Sequence, residues 1–177
     1  MKLVVLDRDG VINYDSVHFI KSTNEWIPIP GSLEAIALLN QSGYRVAVAT
    51  NQSGISRGLF DMVTLNAIHD KMHRALGQLG GRVDAMFYCP HSAEDNCSCR
   101  KPKPGMMEEI GHRFGMDMKG VPIVGDALRD LQAGAVLGMQ PILVRTGKGE
   151  ETLAAGGLPD GTLVFADLAE AVQHIIS

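Results

Sequence analysis

The chain has 177 residues, 45% apolar and 20% charged, a composition that predicts a folded domain with a substantial core and excludes intrinsic disorder. The formal net charge of −4 at pH 7 argues against a protein that binds nucleic acid through bulk electrostatics. No apolar run has the length that a membrane-spanning helix needs, so we expect a cytoplasmic protein, of a size that permits a monomer, with no membrane partner. The apolar N-terminal run stops at Asp7, which favours a strand over a signal peptide.

Short apolar runs alternate with helical patterns along the chain. Continuous apolar runs predict strands buried on both faces, and apolar residues spaced by three and four predict helices. In chain order, the predicted elements are a strand at Lys2–Leu6, a helix capped by Ser32 and ended by Gly43, a strand at Arg45–Ala49, a helix marked by Leu65, Ile68, Met72 and Leu76, a strand at Ala85–Tyr88, a helix opened by Pro104, a strand at Val121–Val124, a helix at Arg129–Leu137, a strand at Pro141–Val144, a surface loop with Gly156, Gly157 and Gly161, and a helix at Leu168–Ile176. This alternation indicates an α/β fold with a doubly wound parallel sheet, in one domain over residues 1–177.

Polar residues follow four of these strands at the point where each strand ends. They are Asp7-Arg8-Asp9-Gly10, Thr50-Asn51-Gln52-Ser53, Cys89-Pro90-His91 and Gly125-Asp126. In a doubly wound sheet, ligands bind at the carboxyl ends of the strands. We therefore expect these four segments to converge on one functional site.

Three carboxylates in these segments, Asp7, Asp9 and Asp126, indicate a cation site. Asp-x-Asp-Gly alone is also typical of an ordinary turn, since Asp and Gly are common turn residues. Carboxylates gathered at one edge of a sheet repel one another unless a cation joins them, however, and hard oxygen ligands suit Mg²⁺. Thr50 and Lys101 add a hydroxyl and an ammonium that can hold phosphoryl oxygens. One carboxylate can then attack phosphorus while a second acts as general acid and base.

These residues stand in four motifs that resemble those of the haloacid dehalogenase superfamily of phosphatases. The motifs are Asp7-Arg8-Asp9-Gly10-Val11, Val48-Ala49-Thr50-Asn51, Arg100-Lys101-Pro102 and Val124-Gly125-Asp126 followed by Asp130, and they occur in the family's order. The resemblance implies the Rossmann-like fold of that superfamily, here without a cap domain. For Asp130, two roles stay open: it orients the site from behind the metal ligands, or it caps the following helix.

The resemblance also implies a role for each residue of the site. Asp7 would be the nucleophile and Asp9 the general acid and base. Thr50 and Lys101 would hold the transferring phosphoryl group. A catalytic Mg²⁺ would be bound by the side chains of Asp7 and Asp126 and by the backbone carbonyl of Asp9. An aspartate at position 9 favours phosphate ester hydrolysis, because dehalogenases of this superfamily lack it.

A second metal is predicted in a short polar loop, residues 89–99, which we call the zinc loop. Cys89, His91, Cys97 and Cys99 supply four soft or borderline ligands, the set of a closed, structural Zn²⁺ site. The clustering of all three cysteines argues against disulfides and for a metal site in a reducing compartment. The alternative is a loop of reduced cysteines with an incidental histidine. We expect zinc to preorganise the adjacent Arg100-Lys101 pair.

Neither interval between the first three motifs has room for a cap domain, so the site is expected to be open and its loops to set specificity. The candidate substrate-binding residues are Asp15, Ser16, Val17, His18, Asn51, Gln52, Ser53 and Arg100. Arg100 can grip a second phosphate bidentately. The resemblance implies a small phosphorylated sugar as substrate, with histidinol phosphate as the alternative. A different class, a non-catalytic zinc-stabilised binding module, would require loss of a catalytic group.

Overall fold

The computed structural model describes all 177 residues and contains a six-stranded parallel sheet. Its strands are β1 (Lys2–Leu6), β2 (Tyr44–Asn51), β3 (Ala85–Cys89), β4 (Pro122–Gly125), β5 (Gln140–Val144) and β6 (Leu163–Phe165). The strand order is β3-β2-β1-β4-β5-β6, so the chain begins at the centre of the sheet and winds outward in both directions. The predicted doubly wound α/β fold is confirmed.

Helices cover both faces of this sheet. They are α1 (Ser32–Gln41), α2 (Met62–Gln78), α3 (Gly105–Phe114), α4 (Leu128–Ala135), α5 (Gly149–Ala155) and α6 (Leu168–Ile176). Successive strand side chains face opposite sides. Val4 and Leu6 of β1 therefore pack in a core with α1, α2 and α6, whereas Leu3 and Val5 pack in a second core with α3 and α4. None of the helices combines the length and the apolar character that crossing a membrane requires.

Three local features differ from the sequence expectations. The α5 helix and the β6 strand were not predicted, because both are short and weakly buried. Only Gly149 of the seven residues in α5 is buried, and the three residues of β6 are half-buried. The prediction that Ser32 caps α1 is wrong. Gly31, at φ +88°, is the N-cap residue, and Ser32 lies inside the helix, where its hydroxyl donates to the carbonyl of Val11 at 2.9 Å. Ser32 thus ties α1 to the turn after β1.

The segments between the first three motifs hold no inserted domain. From Asp9 to Thr50 the chain forms a loop with a 3₁₀ turn at Thr23–Glu25, then α1 and β2. From Thr50 to Lys101 it forms α2, β3 and the zinc loop, which contains a 3₁₀ turn at Ala93–Asp95. No inserted domain therefore covers the carboxyl edge of the sheet, as predicted from the short intervals between the motifs.

Candidate active site and zinc loop

Asp7 lies directly after β1, where the winding of the sheet changes direction between β1 and β4. Its backbone N–H donates to the carbonyl of Val124 at 3.0 Å, so the strand register fixes its position. Oδ1 of Asp7 accepts hydrogen bonds from the backbone N–H of Arg8 at 2.9 Å and from Nζ of Lys101 at 3.1 Å. Both donors hold the same oxygen, which leaves Oδ2 free for a metal or for reaction.

Asp126 follows β4 and faces Asp7 across the switch point. Its Oδ2 accepts a hydrogen bond from the backbone N–H of Lys148 at 2.9 Å. Gly10 and Gly147, both at positive φ, approach so closely that a Cβ at either position would overlap the Asp126 carboxylate. Glycine is therefore required in both turns to let the backbone close around this side chain.

Asp130, in the first turn of α4, fills both of the roles that the sequence left open. Its Oδ2 accepts a hydrogen bond from the backbone N–H of Ala127 at 3.1 Å, which caps α4. Its Oδ1 lies 2.7 Å from Nζ of Lys101. Lys101 thus bridges Asp7 and Asp130, and all three side chains are buried. Asp130 therefore orients the Lys101 ammonium from behind Asp7.

The three buried aspartates carry more negative charge than Lys101 can balance. One oxygen from each of Asp7, Asp126 and Asp130 lies within 4.8 Å of the others. Burial, followed by the charge of Asp130, raises the pKa of Asp7 well above its ordinary value and that of Asp126 to about 7. A divalent cation would relieve this repulsion, and an all-oxygen donor set fits Mg²⁺.

Lys101 keeps its charge despite burial. Desolvation lowers its pKa, but the carboxylates of Asp130 and Asp7 more than compensate and raise it above the ordinary value. The backbone around Lys101 is held by Asn51, whose side-chain amide donates to the Lys101 carbonyl and accepts from the Lys101 N–H, both at 3.1 Å. This reciprocal pair fixes the Lys101 loop against the end of β2.

Asp9 is the one aspartate of the site with a strong set of donors. Its Oδ1 accepts from Nε of Arg8 at 2.8 Å and from the amide of Asn13 at 3.0 Å, and its Oδ2 accepts from the amide of Gln52 at 3.2 Å. Burial raises the pKa of Asp9, but the charge of Arg8 and these hydrogen bonds outweigh it and lower the pKa below its ordinary value. The Gln52 amide also donates to the hydroxyl of Thr50 at 2.9 Å.

A cavity of about 220 Å³ lies above these side chains. It is lined by fifteen residues, and the predicted ones among them are Asp7, Asp9, Asp15, Ser16, Val17, Thr50, Asn51, Ser53, Arg100, Lys101 and Asp126. His18 and Gln52 lie outside the lining. His18 is exposed, and Gln52 is buried behind Thr50 and Asp9. Four of the five residues predicted to be catalytic or metal-ligating are buried, which leaves Asp9 the most accessible of them.

Four further lining residues, Phe19, Arg57, Arg129 and Lys148, were missed by sequence reasoning. The guanidinium of Arg57 lies 5.7 Å from the ring centroid of Phe19, and Nζ of Lys148 lies 3.7 Å from Oδ2 of Asp15. Lys148 follows β5, so the expectation that ligands bind at the carboxyl ends of the strands, applied to β5, would have identified it. Arg57 had no such signal, because the turn after β2 decides which way it points.

The zinc loop brings its four predicted ligands together. Sγ of Cys97 lies 3.5 Å from that of Cys89 and 3.6 Å from that of Cys99, and Nδ1 of His91 lies 3.5 Å from Cys89 Sγ and 3.4 Å from Cys99 Sγ. A tetrahedral Zn²⁺ with Zn–S bonds of about 2.3 Å separates its sulfurs by roughly 3.8 Å. The Cys89–Cys99 pair is closer, at 2.8 Å, yet all three thiols are free. Donor type and the four other separations fit zinc.

Of the three thiols in the zinc loop, only that of Cys97 has a lowered pKa, whereas burial raises the pKa values of Cys89 and Cys99. Burial raises the pKa of Cys97 as well, but hydrogen bonds from the backbone of Arg100 and from the thiols of Cys89 and Cys99 lower it to about 6. The thiolate is the form that binds metal.

Hydrogen bonds tie the zinc loop to both of the segments that are predicted to hold phosphate. Nη1 of Arg100 donates to the carbonyl of His91 at 3.2 Å, and Nζ of Lys103 donates to the carbonyl of Cys97 at 2.8 Å. On the other side, the backbone N–H of Gln52 donates to the carbonyl of Cys89 at 2.7 Å. The order of the zinc loop is therefore coupled to the position of the cations at the cavity mouth.

Comparison with known proteins adds a family and close relatives. A family model described as HAD-hydrolase-like matches residues 98–171. A relative from Bordetella bronchiseptica is 61% identical over 99% of this chain and 98% of its own length, and one from Pseudomonas aeruginosa is 52% identical over 98% and 97%. Both relatives carry the name D-glycero-beta-D-manno-heptose-1,7-bisphosphate 7-phosphatase.

Solved structures show the same likeness. The crystal structure of D,D-heptose 1,7-bisphosphate phosphatase from B. bronchiseptica, complexed with magnesium and phosphate, superposes with a TM-score of 0.98 at 61% identity, covering 99% of this chain and 98% of that one. The corresponding enzyme from Burkholderia thailandensis gives a TM-score of 0.81 at 57% identity, covering 100% and 99%.

Proposed function

We propose, on the premise that this chain belongs to the haloacid dehalogenase-like hydrolases and is a phosphoric monoester hydrolase, that it removes the 7-phosphate of D-glycero-β-D-manno-heptose 1,7-bisphosphate in a Mg²⁺-dependent reaction. The observation that carries the proposal is that Asp7, Asp9, Thr50, Lys101 and Asp126 line one cavity. The chain is also 61% identical over 99% of its length to a relative with this named activity.

Mg²⁺ would be held by the side chains of Asp7 and Asp126 and by the backbone carbonyl of Asp9. When bound, it neutralises the charge of the carboxylates and of the phosphate oxygens. The raised pKa values of Asp7 and Asp126 support this role, since both groups need a cation to stay ionised. Magnesium and phosphate in the crystal structure of the B. bronchiseptica relative support it further.

Asp7 is the nucleophile. A carboxylate oxygen of Asp7 attacks the phosphorus of the 7-phosphate while the bond from phosphorus to the sugar oxygen breaks. The negative charge of the bound phosphate counters that of Arg8 and favours protonated Asp9, which gives its proton to that oxygen, so that the sugar leaves as an alcohol. A water molecule then attacks the phosphorus of the aspartyl-phosphate, Asp9 takes the proton of the water, and inorganic phosphate leaves with Asp7 restored. Lys101 and Thr50 hold the phosphoryl oxygens in both steps.

The charge of the cavity mouth favours a bisphosphate over histidinol phosphate. Arg57, Arg100, Arg129 and Lys148 line the cavity, whereas Asp15 is the one carboxylate there beyond the catalytic set. A second phosphate gains from these cations, and Arg100 offers it a bidentate contact. Histidinol phosphate instead carries an ammonium group, which the same cations repel. Ser16, Val17 and Ser53 also line the cavity, and we infer that they contact the sugar.

The zinc loop would hold a structural Zn²⁺ through Cys89, His91, Cys97 and Cys99, which fit a closed tetrahedral site. Its role is to preorganise Arg100 and Lys101 rather than to take part in the reaction. Free thiols as ligands require a reducing compartment, so we infer a cytoplasmic enzyme. We further propose that residues 1–177 form one phosphatase domain that acts as a monomer.

Substrate profiling tests the assignment. We expect kcat/KM for heptose 1,7-bisphosphate to exceed that for histidinol phosphate by at least ~10-fold, since losing a charged contact removes about 1.5–3 kcal/mol. A preference for histidinol phosphate would refute the substrate. Asp7→Asn should abolish phosphate release from both esters. If wild-type protein with Mg²⁺ releases no phosphate from any ester, the chain is instead the non-catalytic binding module.

A further inference from the structure

Arg8, between Asp7 and Asp9, is a fully buried charge that the proposed reaction does not use. Its carbonyl accepts the backbone N–H of Ile12 at 2.8 Å, which closes the turn after β1. Its side chain does not line the active-site cavity but lies against His69 of α2, 61 residues further along the chain. Burying a guanidinium is costly unless its partners are well placed, so its contacts call for an explanation.

The contacts of Arg8 form a short chain that ends at Asp9. Nε donates to Oδ1 of Asp9 at 2.8 Å, and Nη1 lies 3.1 Å from Nε2 of His69. Nη2 has no hydrogen-bond partner. A guanidinium can only donate, so His69 must accept through an unprotonated Nε2. His69 is therefore the single acceptor on the side of the guanidinium that faces away from Asp9.

The orientation of Asp9 depends on this chain. Its two other donors are the neutral amides of Asn13 and Gln52, and each also serves a second acceptor, the carbonyl of Tyr14 and the hydroxyl of Thr50 respectively. The Arg8 bond is charge-assisted and shorter than both, so it is the strongest of the three.

We propose that Arg8 and His69 are positioning residues that hold the Asp9 carboxyl in line with the leaving oxygen of the substrate. The inference rests on the proposed function, in which Asp9 protonates that oxygen. Neither residue lines the cavity, so both act through Asp9. Without the acceptor on His69, the far end of the guanidinium loses its one hydrogen bond, so the orientation of Arg8, and with it that of Asp9, is less tightly fixed.

The leaving group gives a readout that a purely structural role would not move. An alkoxide needs a proton as it departs, whereas p-nitrophenolate departs without one. The value of kcat/KM reports the steps up to formation of the aspartyl-phosphate, which include this proton transfer but not the later hydrolysis. Mispositioning Asp9 should therefore lower kcat/KM for an alkyl phosphate and spare p-nitrophenyl phosphate.

The test compares His69→Leu with His69→Gln, whose side-chain oxygen can still accept from Arg8. We expect His69→Leu to lower kcat/KM for the alkyl ester about 10-fold or more, part of the roughly 10²–10⁴-fold that general acid catalysis contributes, and to change that for p-nitrophenyl phosphate by less than about 2-fold. His69→Gln should stay within about 3-fold of wild type on both esters, given the retained hydrogen bond. Met72→Leu, one turn further along the buried face of α2, controls for packing and should leave the ratio of the two esters unchanged.

Heptose 1,7-bisphosphate is the alkyl ester of choice. If wild type does not hydrolyse it, the best alkyl phosphate from substrate profiling replaces it, so a wrong substrate assignment leaves this test intact. Equal losses on both esters in His69→Leu, or no loss on either, would overturn the proposal. So would a failure of His69→Gln to retain activity while it remains folded. Arg8→Met should show the same selective loss, and the His69 pair carries the test if that variant does not fold.

Discussion

The buried histidine makes the stability of the protein depend on pH. Burial, followed by the adjacent charge of Arg8, lowers the pKa of His69 from 6.5 to about 3. A protonated His69 would place a second cation 3.1 Å from the Arg8 guanidinium. The folded state therefore keeps His69 neutral while the unfolded chain takes up a proton as the pH falls through 6.5. The contribution of neutral His69 to the free energy of unfolding is therefore fully present above pH 6.5 and is lost progressively as the pH falls to about 3.

The size of this effect follows from the two pKa values. On going from pH 7 to pH 5, protonation of His69 in the unfolded state lowers the free energy of unfolding by about 2 kcal/mol. With a urea dependence of about 2 kcal/mol per molar, the midpoint of unfolding should fall by about 1 M on account of His69. Since His69→Gln has no group that titrates here, its midpoint should fall by that much less between the same two pH values.

Urea unfolding at pH 7 and pH 5, with zinc content verified at each pH, measures this difference directly. Acid effects from the aspartates and the zinc loop are common to both proteins and cancel in the comparison. Met72→Leu, which changes a buried residue of the same helix that carries no titratable group, is the matched control and should keep the wild-type pH dependence. If wild type and His69→Gln lose the same stability between pH 7 and pH 5, burial does not hold His69 neutral, and the reasoning fails.

Three further outcomes test the site. Asp126→Asn should raise the Mg²⁺ concentration for half-maximal activity by about 10-fold or more, because one charged ligand is lost; an unchanged Mg²⁺ requirement would argue against Asp126 as a ligand. Arg100→Ala should lower kcat/KM for the bisphosphate by about 10- to 150-fold, because a charged hydrogen bond is lost, and should lower that for a sugar monophosphate less. The control is Arg82→Ala, which removes an exposed cation outside the cavity and should leave both kcat/KM values unchanged. Zinc-free protein should lose up to about 10²-fold in activity with Mg²⁺ in excess, since the tether of Arg100 and Lys101 is gone; full turnover by verified zinc-free protein would contradict a preorganising role.

Local patterns in the sequence were enough for the first five strands and for the residues that end them. Asp7, Thr50 and Asp126 each follow a continuous apolar run, and parallel strands bring their carboxyl ends to the same edge. The four predicted zinc ligands were equally readable, because all four lie within eleven residues from Cys89 to Cys99. In both cases the chemistry depends on residue type and short spacing, which the linear sequence contains.

Side-chain direction and long-range pairing were decided only by the tertiary structure. Gln52 turns inward to Asp9 instead of facing the substrate, and Asp130 both caps its helix and pairs with Lys101. The zinc loop shows the difference between what the sequence determined and what the tertiary structure decided. Its ligand set followed from the sequence, but its bonds to the segment after β2 depend on how β2 and β3 pair in the sheet. Asp7 was predicted to be the nucleophile from its motif. The cations that we propose select the substrate converge only when separate loops pack around one cavity, because packing rather than sequence proximity sets those distances.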